Sequence, residues 1–199
     1  MPRITPVSGK DDVPAEHHAV VDDVLKVFGG VRGPFSVLLH SPELAKRLLP
    51  LVTFNREQNV VEPKIRSIAI LSAVREREAA YVWAAQVGAA RRAGLREEVI
   101  DLIRAKGDPS TLPAEEREIV TYVRQLMRTN RVDQSVFDAL KARHDARWMV
   151  ELTGSELLCV PLGHGEPVRS ASPARRRQIA QLGLPSASER STAIRCASV

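Results

Sequence analysis

The segment from Ala80 to Gly94 constrains the fold most, because small residues recur along it at helical spacing. Two rows of small residues, each with a spacing of four, run through it: Ala80, Ala84 and Gly88, and Ala85, Ala89 and Ala93. Rows of small side chains allow a neighbouring helix to approach closely. Gly94 suits the left-handed position that follows the last turn of a helix. The segment therefore predicts a helix that packs tightly against other helices.

Proline residues mark the starts of further helices. Pro14 precedes a stripe of apolar residues at helical spacing, which Gly29 is predicted to end. Pro42 and Pro63 are predicted to open two more helices, and Pro50 to kink or divide the first of these two. No alternating pattern of useful length predicts a strand. Aromatic residues are only 4% of the chain, so the core must be mainly aliphatic, and an all-α fold is expected.

Membrane and secreted classes are disfavoured by the sequence. No apolar run approaches the about 18 residues that suggest a membrane span. The first residues lack the apolar stretch that is typical of a secretory signal. Cys159 and Cys196 lie far apart and form no disulfide framework, so the reducing cytoplasm is the expected location.

Basic charge is concentrated near the C-terminal end of the chain. The net charge is +5, and residues 155–199 hold six Arg against three Glu, which leaves a balance of +2 for the first 154 residues. Charge located mainly in one terminal segment says little about what the folded body binds. The Arg175–Arg177 run has no interleaved aromatic residues, so we expect no nucleic-acid partner.

Metal and cofactor sites are not indicated by the sequence. His17 and His18 are adjacent, and adjacent side chains on a helix point about 100° apart, so they do not chelate one metal comfortably. Cys159 and His164 have no further ligands at a zinc-site spacing. The glycines of residues 29–35 are not followed by the Lys-Ser/Thr pair of a phosphate loop. We therefore expect no metal and no cofactor.

The stretch YVWAAQVGAARRAGL at 81–95 resembles the signature helix of the carboxymuconolactone decarboxylase and alkylhydroperoxidase D superfamily. Tyr81, Trp83, Ala90 and Gly94 stand where that family has the same residues. The surrounding segments are similar in order to the family's over roughly residues 3–153. The resemblance implies an AhpD-like all-α helical bundle, a homo-oligomer (a trimer or hexamer) and a small-molecule substrate or ligand.

The positions that carry the family's chemistry hold other residues here. Val82 stands where the family has Glu, and Gln86 stands where it has His. For the peroxidase branch, the resemblance places the two cysteines at Ala79 and Val82 and a glutamate at Ser67, so the Cys-x-x-Cys motif is absent. Gln86 can donate a hydrogen bond but cannot titrate. It could therefore bind a ligand, but it could not act as a general acid or base.

The candidate site combines this helix with polar residues near it. The catalytic candidates are Gln86, Tyr81, Glu78 and Arg66, and the substrate-binding candidates are Trp83, Val82 and Ser67. Glu78 is expected to lie on the face of Val82 and to bracket a small ligand with Gln86, and Arg66 to meet a substrate carboxylate. The alternative makes Glu78 and Arg66 surface ions, and Trp83 a core or subunit-interface residue.

Three functions remain open from the sequence. The chain is either a decarboxylase-like enzyme acting on a small lactone or keto-acid, or a catalytically silent relative that binds a small molecule or acts as a scaffold; a peroxidase is disfavoured by the vacant cysteine positions. Residues 1–154 are predicted to form the helical domain. Residues 155–199, rich in Arg, Ser and Pro, are predicted to be a disordered tail or the product of a reading-frame shift near Gly154.

Overall fold

A computed structural model describes residues 4–163 of the chain, and the side chains up to residue 156. Within this part the structure contains nine α-helices and no strand, which confirms the predicted all-α fold. The helices are α1 (His18–Phe28), α2 (Phe35–Leu38), α3 (Pro42–Glu57), α4 (Pro63–Glu76), α5 (Ala80–Arg92), α6 (Glu97–Arg104), α7 (Ala114–Thr129), α8 (Gln134–Lys141) and α9 (Ala146–Gly163). None of the described helices is long and apolar enough to cross a membrane.

Helix α4 is the centre of the larger hydrophobic core. The seven consecutive residues from Ile68 to Val74 are all buried, so α4 is covered on every side over two turns. Helices α5, α6, α7 and α9 supply that cover. Helix α5 packs against α4 in this core, to which it contributes Val82, Trp83, Val87 and Ala90. The predicted close approach along the rows of small residues is not seen, because Ala85 is exposed, Ala84, Gly88, Ala89 and Ala93 are half-buried, and a Cβ added at Gly88 would meet only the Arg92 side chain.

A second, smaller core lies in the N-terminal part of the chain. It joins α1, α2 and α3 through buried apolar side chains, among them Val21, Val24, Phe35, Leu39 and Ala45. Phe28 and Val52 are half-buried and pack against this cluster. Helix α3 also contacts α9, so the smaller core adjoins the larger one.

The predicted helix boundaries are confirmed at α4 and at the end of α1. Helix α4 begins at Pro63, and α1 is followed by Gly29 with φ +68°. Gly94, two residues after the end of α5, has φ +79°, a conformation that glycine adopts without steric cost.

Two other boundary predictions differ from the structure. Helix α1 begins at His18 rather than near Pro14, because two 3-10 segments, Lys10–Asp12 and Ala15–His17, precede it. Pro50 lies inside α3 and does not divide it, and the alternative, a kink, stays a prediction. The residue is exposed, so its ring faces solvent rather than a packed neighbour.

Helix α9 continues past the predicted domain boundary. It runs to Gly163, so the boundary placed after Gly154 falls inside a helix, and Ser155 and Glu156 are fully buried. The remainder of the predicted tail, residues 164–199, lies outside the described residues.

A buried carboxylate ties α4 to α7. Glu76 accepts two hydrogen bonds of 2.8 Å from Arg128, and Arg124 and Lys106 lie within 4 Å of it. Burial opposes ionisation of Glu76, but the hydrogen bonds from Arg128 and the positive charges of Lys106 and Arg124 outweigh it, so its pKa is lowered.

Glu156 on α9 has the opposite environment. Its side chain is fully buried, and neither carboxyl oxygen has a hydrogen-bond partner among the described residues. Burial raises the pKa of Glu156 well above its usual value. The neutral form is therefore favoured by folding, and stability falls as pH rises from the unfolded pKa of about 4.3 towards the folded pKa.

We expect Glu156→Gln to be more stable than the parent chain at pH 7, by about 1–3 kcal/mol, and equally stable at pH 4. Urea unfolding at the two pH values measures this difference. Glu151→Gln on the same helix is the control, with the opposite sign, because hydrogen bonds from Arg147 and the Val60 amide lower the pKa of Glu151. Equal stability of Glu156→Gln and the parent at both pH values would contradict the assignment of an unpaired buried carboxyl.

Candidate functional site

A cavity of about 660 Å³ lies between the two hydrophobic cores. The smaller core contributes the end of α1, the residues just before α2, and the second half of α3. The larger core contributes the first half of α4 and one face of α5. The cavity is therefore placed at the junction between two layers that are each packed by their own apolar residues.

Five of the seven sequence-predicted site residues line this cavity together. Arg66 and Ser67 reach it from α4, and Tyr81, Val82 and Gln86 reach it from α5. The hydroxyl of Ser67 donates a 2.7 Å hydrogen bond to the Pro63 carbonyl, which leaves its oxygen available as an acceptor.

The other two predicted residues lie elsewhere. Glu78 is exposed and has φ +54°, in the three-residue connection between α4 and α5. The expectation that it shares a helix face with Val82 is wrong, because the chain reverses direction at Glu78 before α5 begins at Ala80. Trp83 is 1% exposed and packs in the larger core. It is therefore a core residue, which was the alternative to its predicted role in substrate binding.

Positive charge dominates the cavity lining. Four arginines line it, namely Arg32, Arg56, Arg66 and Arg92. No Asp or Glu is among the described residues that line it. Since arginine stays protonated in proteins, the lining favours small anions over cations.

The surrounding structure holds three of these guanidinium groups near the cavity wall. Arg66 Nη2 donates to the backbone carbonyl of Arg56 at 3.2 Å, and Arg32 Nη2 donates to the Phe28 carbonyl at 3.4 Å. The guanidinium carbon of Arg56 lies 5.1 Å from the centroid of the Phe28 ring, a cation–π contact.

An aromatic pair lies beside the arginines. The Phe28 and Phe35 rings have centroids 5.1 Å apart and are tilted by 35°. Both rings line the cavity, together with the aliphatic side chains of Val52, Ile70 and Val82. The lining is thus both apolar and cationic, which suits a small molecule with an apolar body and an acidic group.

Sequence reasoning missed the residues that the N-terminal layer contributes. Arg32, Asn55 and Arg56 lie 24 or more positions from α5 in the chain, and no spacing pattern links them to it. Arg92 lies on α5 but was not predicted as a site residue, although its spacing of three and seven residues from Ala89 and Ala85 places it on one helix face with them.

Proton-transfer and redox groups are scarce in the cavity. No Cys, His or carboxylate is among the described lining residues, and Tyr81 supplies the hydroxyl of the α5 face. No group of three or more His, Cys, Asp or Glu side chains that could hold a metal occurs within residues 4–156. The polar lining otherwise consists of hydrogen-bond donors and amides: the four arginines, Asn55, Ser67 and Gln86.

Comparison with known proteins gives one structural match and no sequence match. No protein-family model matches the chain, and no curated protein matches it. A solved structure of the debrominase Bmp8, a Cys-to-Ala variant in complex with 2,3,4-tribromopyrrole, is similar, with a TM-score of 0.67 over 92% of this chain and 98% of that chain. The chain has the AhpD-like all-α fold. Because the identity is 14%, the similarity concerns the fold alone.

Proposed function

We propose that this chain binds a small organic acid, as its anion, in the cavity between the two cores. The observation that carries the proposal is the set of four lining arginines without a lining carboxylate among the described residues. A guanidinium group forms paired, charge-assisted hydrogen bonds with a carboxylate. A lining with four arginines and no described carboxylate therefore favours an anion over a neutral or cationic ligand.

The size and apolar lining indicate the rest of the ligand. About 660 Å³ lies within the range of small-molecule sites. The Phe28 and Phe35 rings offer a surface for a planar ring or short hydrocarbon body. A small lactone or keto-acid meets both requirements. The structural neighbour was crystallised with a small ring compound, 2,3,4-tribromopyrrole, which supports a ring-sized ligand.

Decarboxylation of such an acid is a second candidate function, favoured by Tyr81 in the cavity wall. In this reaction the bond between the carboxylate carbon and its neighbour breaks, carbon dioxide leaves, and the electron pair moves onto the carbonyl oxygen as an enolate. Gln86 and an arginine would stabilise that oxygen. The Tyr81 hydroxyl would protonate the carbon and recover its proton from water.

A catalytically silent binder or scaffold is the alternative within the same fold. It is supported by the replacement of the family's Glu and His by Val82 and Gln86, neither of which transfers a proton. Peroxidase activity has no support from the described lining, which contains no cysteine.

Arg92→Gln is expected to weaken binding of a carboxylate by about 10-fold or more, because a charged partner is replaced by a neutral one. Isothermal titration calorimetry with γ-carboxymuconolactone, acetoacetate and benzoate measures the affinity, and benzamide serves as the uncharged counterpart of benzoate. Arg91→Gln is the matched control, since Arg91 is adjacent on α5 but pairs with Glu97 outside the cavity.

Failure of all three acids to bind the folded parent protein would contradict the binding proposal. Equal losses in Arg92→Gln and Arg91→Gln, or equal affinity for benzoate and benzamide, would also contradict it.

Carbon dioxide release from γ-carboxymuconolactone and acetoacetate tests the decarboxylase candidate. Tyr81→Phe keeps the ring but removes the proton donor, so we expect a fall in turnover of about 100-fold with little change in affinity. Gln86→Ala should lower turnover as well. If folded protein binds these acids and releases no carbon dioxide, the silent binder is the correct description.

Assembly into a trimer or hexamer is proposed alongside this function. The exposed apolar side chains Leu44, Leu51 and Val150 offer apolar surface for subunit contacts. Light scattering coupled to size-exclusion chromatography is expected to give a mass of three or six chains, and a stable monomer at micromolar concentration would contradict this.

A further inference from the structure

Asn55 of α3 is a nearly buried amide in the cavity wall, with 9% of its surface exposed. Its side-chain oxygen Oδ1 accepts a hydrogen bond of 2.8 Å from Asn59 Nδ2. The hydroxyl of Ser155 on α9 lies 2.7 Å from the same oxygen. One end of the Asn55 amide is therefore held by residues behind the cavity wall.

The direction of this amide is determined by a backbone donor. The Val61 amide N–H can only donate, and it donates at 2.8 Å to Asn59 Oδ1. Asn59 must then turn its Nδ2 group towards Asn55 and the Glu151 carbonyl, which accepts from it at 3.3 Å. Since Nδ2 of Asn59 is a donor, the atom of Asn55 that faces it must be Oδ1.

The donor end of Asn55 consequently faces away from this network. Asn55 Nδ2 has no hydrogen-bond acceptor among the described residues. Because Asn55 lines the cavity and its Oδ1 end is held by Asn59 and Ser155, the Nδ2 end is the one left to face the cavity. A donor fixed in this way favours a ligand that presents an acceptor to it.

Positive charge lies next to the same turn of α3. Arg66 Nη2 is bound to the carbonyl of Arg56, the residue after Asn55. The Asn55 amide and the Arg66 guanidinium thus belong to one end of the cavity, where a carboxylate or carbonyl oxygen meets donors from two helices.

We infer that Asn55 is a specificity-determining residue that donates from Nδ2 to an acceptor oxygen of the bound acid, with Asn59 and Ser155 as its positioning residues. The inference rests on the proposed binding function and narrows its ligand class. The acid carries a carboxylate or carbonyl oxygen at the Arg66 end of the cavity, and molecules that present an N–H group there are rejected because two donors would face each other.

Titration calorimetry of variants with benzoate and γ-carboxymuconolactone tests the inference. Asn55→Ala is expected to weaken binding about 10-fold, and Asn55→Asp about 100-fold, because the aspartate replaces the donor by a negatively charged acceptor. Gln58→Glu introduces the same change of charge at an exposed position of the α3 C-terminus outside the cavity lining, and should change the affinity less than threefold.

Asn59→Ala tests the positioning role. Loss of the Asn59 donor frees the Asn55 amide to rotate, so the ratio of benzoate to benzamide affinity should fall. The melting temperature should fall as well, because Asn59 also bonds the Val61 amide and α9. A fall in stability with an unchanged ratio would show a structural role only.

A measurement on the unsubstituted protein tests the inference without relying on the folding of any variant. The chain has three asparagines, Asn55, Asn59 and Asn130, so selective ¹⁵N-asparagine labelling gives three side-chain amide signals. Benzoate is expected to shift the Asn55 Nδ2 protons downfield and to slow their exchange with water. Asn59 should move little, and Asn130, at the end of α7, should not move.

The outcomes separate the two proposals. If the parent binds acids and responds to Arg92→Gln, but neither the Asn55 signal nor the Asn55 variants respond, the role of Asn55 is overturned and the binding function stands. If the parent binds none of the acids, the binding function is overturned, and the role of Asn55 falls with it.

Discussion

The burial of helix α4 on every side is the constraint on which the rest of the structure depends. A helix with seven consecutive buried residues must be surrounded, and α5, α6, α7 and α9 surround it. Helix α5 adds Val82, Trp83 and Val87 to the core around α4, while its rows of small residues are half-buried or exposed. The first half of α4 is left facing the N-terminal layer, where the cavity forms. The central helix thus determines both the core and the position of the site.

The cavity follows from two cores that pack separately. The larger core is complete within α4–α9, and the smaller one within α1–α3, so neither needs to fill the space between them. Arginines at this junction keep their charged groups near water while their hydrocarbon stems cover apolar surface. The Asn55, Asn59 and Ser155 network then connects α3 to α9 behind the cavity. One wall of the site is therefore held by both layers, and a donor presented from that wall has a defined direction.

The residues that were predictable from the sequence are those whose positions depend on local spacing. Helix α5, the start of α4 at Pro63 and the left-handed Gly94 follow from small-residue rows and turn chemistry. Ser67 and Gln86 could be assigned to one site from the sequence because α4 and α5 are neighbours along the chain, and both residues line the cavity. Glu78 was misplaced because a chain reversal at a non-glycine residue leaves no clear mark in the sequence. The cationic lining was missed because Arg32 and Arg56 reach the site only through contacts between layers.

The residues that line the cavity suit the possible reactions unequally. Thiol peroxidase chemistry requires a thiolate and a nearby base, and the described lining contains no Cys, His or carboxylate to supply them. Loss of carbon dioxide makes smaller demands, because the carboxylate supplies its own electron pair and needs only an electron sink and a proton source. Arginine placement then decides the rate. A guanidinium on the departing carboxylate stabilises the reactant, whereas one on the enolate oxygen stabilises the transition state. Under the proposed function, the same four arginines would favour tight binding or catalysis according to which oxygen they contact.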